Sequence, residues 1–553
     1  MLVHLLMRKT LLIGGIAVII LIAGALFYFK FRKLDDFQPQ IKAKLQKVVH
    51  DASDGLYKLE VEKINADVVN SRIILSNLHI TYDSLVYNRM KEAKKAPADV
   101  FDIRLNSLAI DGLTPADLIK KRDIRLNILL LENPSVHVYH HHLDYERPKK
   151  GTNVSALIEK EIGSFGLNDL SLRDVDFVYH NQGSKVQTTL SKLNVSLKDI
   201  LINQDTERDT SRFLYAKDAT IDLKNFTHKT ADSLYTFILD SITVFAARSE
   251  LKVQSLKVQP RISKANYAKV MKARQDRYDV QVNNLKLEDV AWWTLLAGDG
   301  FYAGKATISG AALEVYSDRT IPLGKSKKVR YPHQQLFASD MAIGIKDIKV
   351  RNLDVTFMER NPETMQRGEI TFNNTSASIS NVTNIPSWVA RNGMMKIDAD
   401  TRFMNEGRLK AGFRFNLKQQ KEGVFSVYAD LGPMSGLTLN RATKPLAAVE
   451  IRTARISRLR VDINGNYKDS RGKILLTYQD LKVDVLKKAN DGTLKKRGLI
   501  TFIANNFKIN ESNPKKGEKA QAVDAYYQRP PQKSFFTLIW KTILEGVKES
   551  AGM

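Results

Sequence analysis

His137, His140, His141 and His142 form the one dense cluster of metal-ligand side chains in this 553-residue sequence. Neighbouring imidazoles can in principle bind Zn²⁺ or Ni²⁺. On a strand, however, consecutive side chains point to opposite faces, so at most His140 and His142 share a side. No carboxylate at a defined spacing completes a site; Asp144 and Glu146 are merely nearby. The cluster therefore reads as a solvated strand end or loop, and no cofactor or metal is expected. Gly324-Lys325-Ser326 has the ending of a phosphate-binding loop, but the required first glycine falls at Arg319. There is no H-E-x-x-H, no G-x-S-x-G and no G-x-G-x-x-G after a strand. The absence of Cys removes disulfides, thiolate catalysis and thiolate metal sites. The chain is read as a non-enzyme.

Charge and length say more. Lys and Arg number 85 against 60 Asp and Glu, a formal +25. Such a surplus suits an anionic partner: phospholipid headgroups, lipopolysaccharide or nucleic acid. No series of aromatic and arginine stacking residues supports nucleic acid, so the charge reads as a solvated outer face.

The elements that would position any site begin with Thr10 to Phe29, twenty residues without a charge, flanked by Arg8-Lys9 and by Lys30, Arg32 and Lys33. That length crosses a hydrocarbon core as one helix. A cleavable signal is the rival, but the run is longer than a usual signal core and continues into bulky aromatics. Ile41, Leu45, Val48 and Val49 then mark a helix face.

After Gly55 the period becomes two, with a recurring figure: apolar, x, apolar, x, x, apolar, x, apolar. It occurs at Ile73, Leu75, Leu78, Ile80, at Leu170, Leu172, Val175, Phe177, and at Ile343, Ile345, Ile348, Val350 running on to Leu353 and Val355. Further copies start at Ile103, Val195, Leu251, Val280 and Leu476. The two-residue gap is either a hairpin turn or a β-bulge that resets the phase. Both give an antiparallel sheet with one apolar and one charged face. Short helices are expected at Pro115 to Arg122, Val154 to Ile162, Ala265 to Gln275 and Trp292 to Ala297, too few for a covering layer. From pattern alone a sealed sandwich is the ordinary solution, and a curled sheet that leaves a slot is the alternative. Trp292-Trp293 reads as core or groove lining.

Ile41 to Asp83, directly after a membrane helix and containing Leu78-His79-Ile80, resembles the opening of AsmA-like proteins. Gly472 to Val483, Phe502 to Phe507 and Asn513-Pro514 resemble the tail of that family; the middle shares only the strand pattern. AsmA-like proteins are similar to repeating β-groove, bridge-like lipid transfer proteins of the diderm envelope. The resemblance implies a mainly β chain: a transmembrane helix, then an elongated, curled antiparallel sheet forming an open β-groove, with a few short helices and a C-terminal amphipathic helix. It implies a single-pass bacterial inner-membrane anchor with the body in the periplasm. The expected partners are phospholipid or another acyl lipid, the inner membrane, and the outer membrane or a partner protein there.

The resulting layout is a cytoplasmic tail (1–9), an anchor (10–29), a juxtamembrane helical segment (30–54), a β-groove body (55–509), a polar linker (510–533) and an amphipathic helix (534–553). Lipid-lining positions are expected at Ile73, Leu75, Leu78, Ile80, Ile343, Ile345, Ile348, Val350, Leu353 and Val355. In the last helix Phe536, Ile539, Trp540, Ile543 and Val547 share a face that suits a membrane interface, or else a plug on the sheet end. The expected function is acyl-chain binding and assistance to phospholipid transfer and outer-membrane homeostasis. A scaffolding factor for outer-membrane proteins, acting through exposed strand edges, is the alternative.

Overall fold

The structure is a computed structural model that describes residues 38–67, 70–112, 124–143, 145, 164–181, 186–203, 205–207, 209, 211–213, 215–230, 232–297, 299–323, 329–488, 494–496 and 509–552. The tail and anchor at 1–29, and the helices expected at Pro115 to Arg122 and Val154 to Ile162, lie outside these residues. Among the described residues no helix is long and apolar enough to cross a membrane. The protein is mainly β, 59% strand and 16% helix.

The chain divides into two units, residues 1–231, 237–254 and 288–299, and residues 232–236, 255–287 and 300–553. The first opens with α1 (Gln38–Ala52), β1 (Tyr57–Asp67), β2 (Arg72–Tyr82), α2 (Ser84–Glu92) and β3 (Asp99–Asp111). It continues with β4 (Ile124–Glu132), β5 (Ser135–His140), β6 (Phe165–Asn181), β7 (Val186–Ile202) and β8 (Ala216–Lys229). β1, β2 and β3 are antiparallel neighbours. β4 and β5 are one strand broken at Asn133-Pro134: both pair with β3 antiparallel and with β6 parallel. α1 packs on β1, with Leu45 and Val49 buried and the Gln46 side chain donating to the Leu59 carbonyl at 3.0 Å.

Next come β9 (Tyr235–Phe245), β10 (Glu250–Pro260), α3 (Lys264–Val270), β11 (Arg277–Glu288) and α4 (Trp292–Ala297). The helix expected over Ala265 to Gln275 thus ends early, and the one over Trp292 to Ala297 is present. The second unit then runs through β12 (Phe301–Asp318), α5 (Pro332–Phe337), β13 (Ile343–Arg360), β14 (Arg367–Thr383), α6 (Pro386–Arg391), β15 (Met394–Phe403) and β16 (Gly407–Asn416). It ends with β17 (Phe425–Leu431), β18 (Met434–Ser435), α7 (Asn440–Ala447), β19 (Val449–Gly465), β20 (Asp469–Lys488), β21 (Leu494–Lys496), β22 (Val523–Gln528) and α8 (Phe535–Ser550). β12 and β13 are parallel; β13 through β17, then β19, β20 and β22, pair antiparallel in that order. The polar linker expected at 510–533 therefore contains a strand. Val523 and Ala525 alternate with polar residues and pair with Ile474 and Gly472.

The two-residue gaps of the recurring figure are phase shifts within strands, not hairpin turns. Strands run through them, and in five the second gap residue has positive φ: Asn77, Asp174, Asp199, Asn352 and Asp480. These are Asn and Asp, the non-glycine types that tolerate left-handed backbone best. Between β13 and β14 the register shifts at Val350/Leu353 and back at Leu353/Val355, so each strand carries one extra residue and the pairing recovers. Each insertion keeps the next apolar residue on the same face.

A longer repeat emerges from backbone conformation. Features of the first copy return about 178 residues later. Positive φ recurs at Ser71 and Ser249, Asn133 and Gly310, Asp174 and Asn352, Lys192 and Asn374, Asp199 and Asn381. The register shifts Leu172/Val175/Phe177 of β6 match Val350/Leu353/Val355 of β13. Phe165 to Asp176 and Ile343 to Asp354 share Gly, Asp, Arg and Asp at equivalent places. The Tyr57 hydroxyl accepts the Phe101 N–H at 3.3 Å, and the Tyr235 hydroxyl accepts the Tyr278 N–H at 3.2 Å. Tyr87 donates to the Pro97 carbonyl, and Tyr267 to the Gln275 carbonyl. Residues 57–199 and 235–381 thus repeat one another in backbone conformation, register and hydrogen bonding.

Candidate functional site

The repeat lets equivalent side chains be compared. In the first copy Leu167 is 2% exposed, Leu170 3% and Val175 6%, while Leu172 and Phe177 of the same row are half-buried. The equivalent Ile345, Ile348 and Leu353 of β13 are only half-buried. Sequence placed ten lining residues on one footing, and the structure separates them. Ile73, Leu75, Leu78 and Ile80 are buried, at most 6% exposed. The pairing of β1, β2 and β3 aligns their apolar rows, Leu59 with Ile80 and Ile103, Val61 with Leu78 and Leu105, and packing closes over them. Ile343, Ile345, Ile348, Leu353 and Val355 stay half-buried, and Val350 is buried.

Strand register extends that half-open face. Ile348 lies opposite Ile379, Ile379 opposite Ile397, and Ile397 opposite Phe413. All four are half-buried. One step along, Ala377, Ala399, Ala411 and Ala429 stand opposite one another across β14 to β17, also half-buried. A row of methyl groups thus runs beside a row of isoleucine and phenylalanine, with Ile397, Phe413 and Ala429 packed at one side against the core beneath Phe535. Ile379, Ile397, Phe413 and the alanines were not expected. β14 reads Thr375-Ser376-Ala377-Ser378-Ile379-Ser380, where small polar residues mask the alternation.

Helices cover the ends of this face. Phe535 of α8 packs among Tyr331, Phe415 and Phe425 with ring centroids 5.1, 5.4 and 4.9 Å away. α8 lies against β20 and β22, where Gly546 permits close approach: a Cβ there would meet Ile474 at 2.4 Å. The Ser470 and Thr542 hydroxyls are buried 2.5 Å apart. α7 packs against β14 and β19, with Leu446 over Gly368. The reading of α8 as one apolar stripe needs correction. Ile539 is in the core and Ile543 packs against it, Val547 is half-buried, and Phe536 and Trp540 point outward at 65% and 47% exposure.

The opposite face is a set of cross-strand ion pairs. Arg414 reaches Asp398 at 2.6 Å, and Tyr428 donates to the same carboxylate at 2.6 Å. Arg408 pairs with Asp400 at 2.7 Å and Arg458 with Asp430 at 2.5 Å. The Arg458 hydrogen bond holds the Asp430 carboxyl below the ordinary range. β15 shows the division most simply: Lys396, Asp398 and Asp400 alternate with Ile397 and Ala399.

The histidines do not assemble. His140 contacts Asp99 at 2.8 Å, His141 packs against the Tyr87 ring, and His137 meets His180 of β6 at 3.2 Å. Among the described residues no three His, Asp or Glu are arranged to hold a metal ion. No family model matches the chain, and no curated protein matches it.

Proposed function

We propose that this protein binds the acyl chains of lipids along the apolar face of β13 to β17, and that it assists phospholipid transfer in a bacterial envelope. The observation that carries the reading is the contrast between equivalent positions, Leu170 in the core and Ile348 half-open. Where Leu170 packs into the core, its counterpart Ile348 keeps apolar surface that an acyl chain can cover. An apolar chain laid on Ile348, Ile379, Ile397 and Phe413 removes both surfaces from water, worth about 25 cal/mol per Å² of apolar area. The headgroup stays in solvent, and no covalent chemistry is required. The reading extends to an open groove in a curled sheet, an inner-membrane anchor at residues 10–29 and a body in the periplasm; these rest on the likeness to AsmA-like proteins.

The test is the lipid retained by the full chain after gel filtration in a bile-salt detergent, counted by mass spectrometry. Ile397→Lys should carry several-fold less lipid than the parent. Equal loads on both, or crosslinks to unfolded β-barrel strands in place of lipid, overturn the reading.

A further inference from the structure

One end of the second unit gathers exposed apolar side chains from three elements. Val270 at the end of α3 is 54% exposed, Leu323 in the loop after β12 is 53% exposed, and Phe536 and Trp540 of α8 are 65% and 47% exposed. Hydrogen bonds tie these elements together. Arg274 donates from its backbone N–H to the Pro322 carbonyl at 2.9 Å and from its guanidinium to the Arg319 and Ile321 carbonyls at 2.8 and 3.0 Å. The same loop reaches the start of α8 through the Val329 N–H and the Pro531 carbonyl, 3.0 Å apart. Arg529 donates to the Lys533 carbonyl.

Arg274, Arg319 and Lys541 stand near Lys533, and the acids beside Arg274 are Glu359, Asp276 and the buried Asp318. Burial and then the charges of Arg274 and Arg319 hold the Lys533 ammonium below the ordinary lysine range, with Glu359 opposing. Glu359 is engaged by Arg319 at 3.0 Å. Exposed apolar side chains beside cations match the two attractions of an anionic bilayer surface: apolar insertion to headgroup depth and electrostatic contact with lipid phosphates. Tryptophan is enriched at that depth.

We propose that this end of the second unit docks on an anionic phospholipid surface, with Phe536 and Trp540 entering the headgroup layer and Lys533 and Lys541 facing lipid phosphates. The proposal deepens the acyl-lipid reading and rests on it for what the contact serves: it puts the half-open face beside a membrane with which it can exchange chains. A second copy of the chain would cover the apolar side chains too, but it would bring the same cations against each other.

The absence of Cys allows a clean probe. The full chain, held in phosphatidylcholine nanodiscs, carries Phe536→Cys labelled with an environment-sensitive nitrobenzoxadiazole dye. Added phosphatidylglycerol-containing vesicles should shift its emission to the blue, and vesicles of phosphatidylcholine alone should not. The same label at Arg402→Cys should stay unchanged. Lys533→Gln with Lys541→Gln should weaken the vesicle response about thirtyfold, since each cation near an anionic surface contributes comparably. If the double variant loses its thermal transition, Lys541→Gln alone is read, with about a fivefold loss. No shift with anionic vesicles, an equal shift with neutral ones, an unaltered response in the lysine variants, or a concentration-dependent shift without vesicles overturns the proposal. Failure of docking leaves lipid retention at Ile397 unaffected, and failure of retention leaves the dye response unaffected, so the two readings fall separately.

Discussion

The Phe535 ring stands edge-on to Phe425, centroids 4.9 Å apart and planes at 83°, so the first turn of α8 is part of the sheet's core. Ser534 caps that turn, its side chain accepting the Thr537 N–H at 3.1 Å. Phe535→Ala should therefore destabilise the second unit by about 3–5 kcal/mol, while Phe536→Ser, one residue on and exposed, should cost less than about 0.5 kcal/mol. Denaturant unfolding followed by circular dichroism separates them. Equal costs would mean that α8 is not docked as described.

Charge insertion distinguishes the two copies at equivalent positions. Leu170 is 3% exposed, so Leu170→Lys places an unpaired charge in a core and should cost several kcal/mol. Ile348 is half-buried, so a lysine there can reach water along its own stem. Ile348→Lys should keep its β signal and cost on the order of 1 kcal/mol, yet lose bound lipid. Cooperative unfolding of both variants would place Ile348 in a sealed core.

His333 gives the second unit an acid-sensitive point. It is fully buried against Phe415, its ring nitrogens have no hydrogen-bond partner among the described residues, and burial pushes its pKa down to about 4. The unfolded chain takes up this proton near 6.5, so it binds more protons than the folded chain between those values. Stability from the neutral imidazole is present above about 6.5 and is lost as pH falls toward about 4, by up to about 3 kcal/mol. His333→Phe should flatten that part of the stability–pH curve. An unchanged slope between pH 6.5 and 4 would contradict it.

The repeat predicts matched responses. Tyr57→Phe and Tyr235→Phe each remove the hydroxyl that accepts a strand N–H, from Phe101 and Tyr278 respectively. Each should cost about 1–2 kcal/mol, seen as a lowered unfolding midpoint. Near-zero cost for one with full cost for the other would break the equivalence.

Much of the sheet was legible in the sequence, because Ile, Leu and Val at alternate positions record which face is buried. The figure around Ile343 to Val355 located β13 and its phase shift. Whether the gaps were turns or shifts was not legible: Arg351-Asn352 suits both, and only the positive φ of Asn352 within a continuous strand decides. The long repeat was hidden because it is kept in backbone conformation and register, with few identities such as Gly166 and Gly344. Exposure was beyond reach, since Leu170 and Ile348 occupy the same pattern and differ only in what packs over them. The stripe on α8 was legible in part: Ile539 is buried and Ile543 packs beside it, but the buried face also takes in Phe535, Leu538, Thr542 and Gly546, and small or polar Thr542 and Gly546 do not advertise it.

On the proposed function, lipid acyl chains lie on the apolar face of β13 to β17. The most direct measurement is photo-crosslinking in cells from benzoylphenylalanine placed singly at Ile397 and Phe413, and at Lys396 and Lys410 on the charged face, followed by mass spectrometry of the adducts. Phospholipid adducts at Ile397 and Phe413, and none at Lys396 and Lys410, are the predicted result. Adducts absent from the first pair, or equal on both faces, would contradict it.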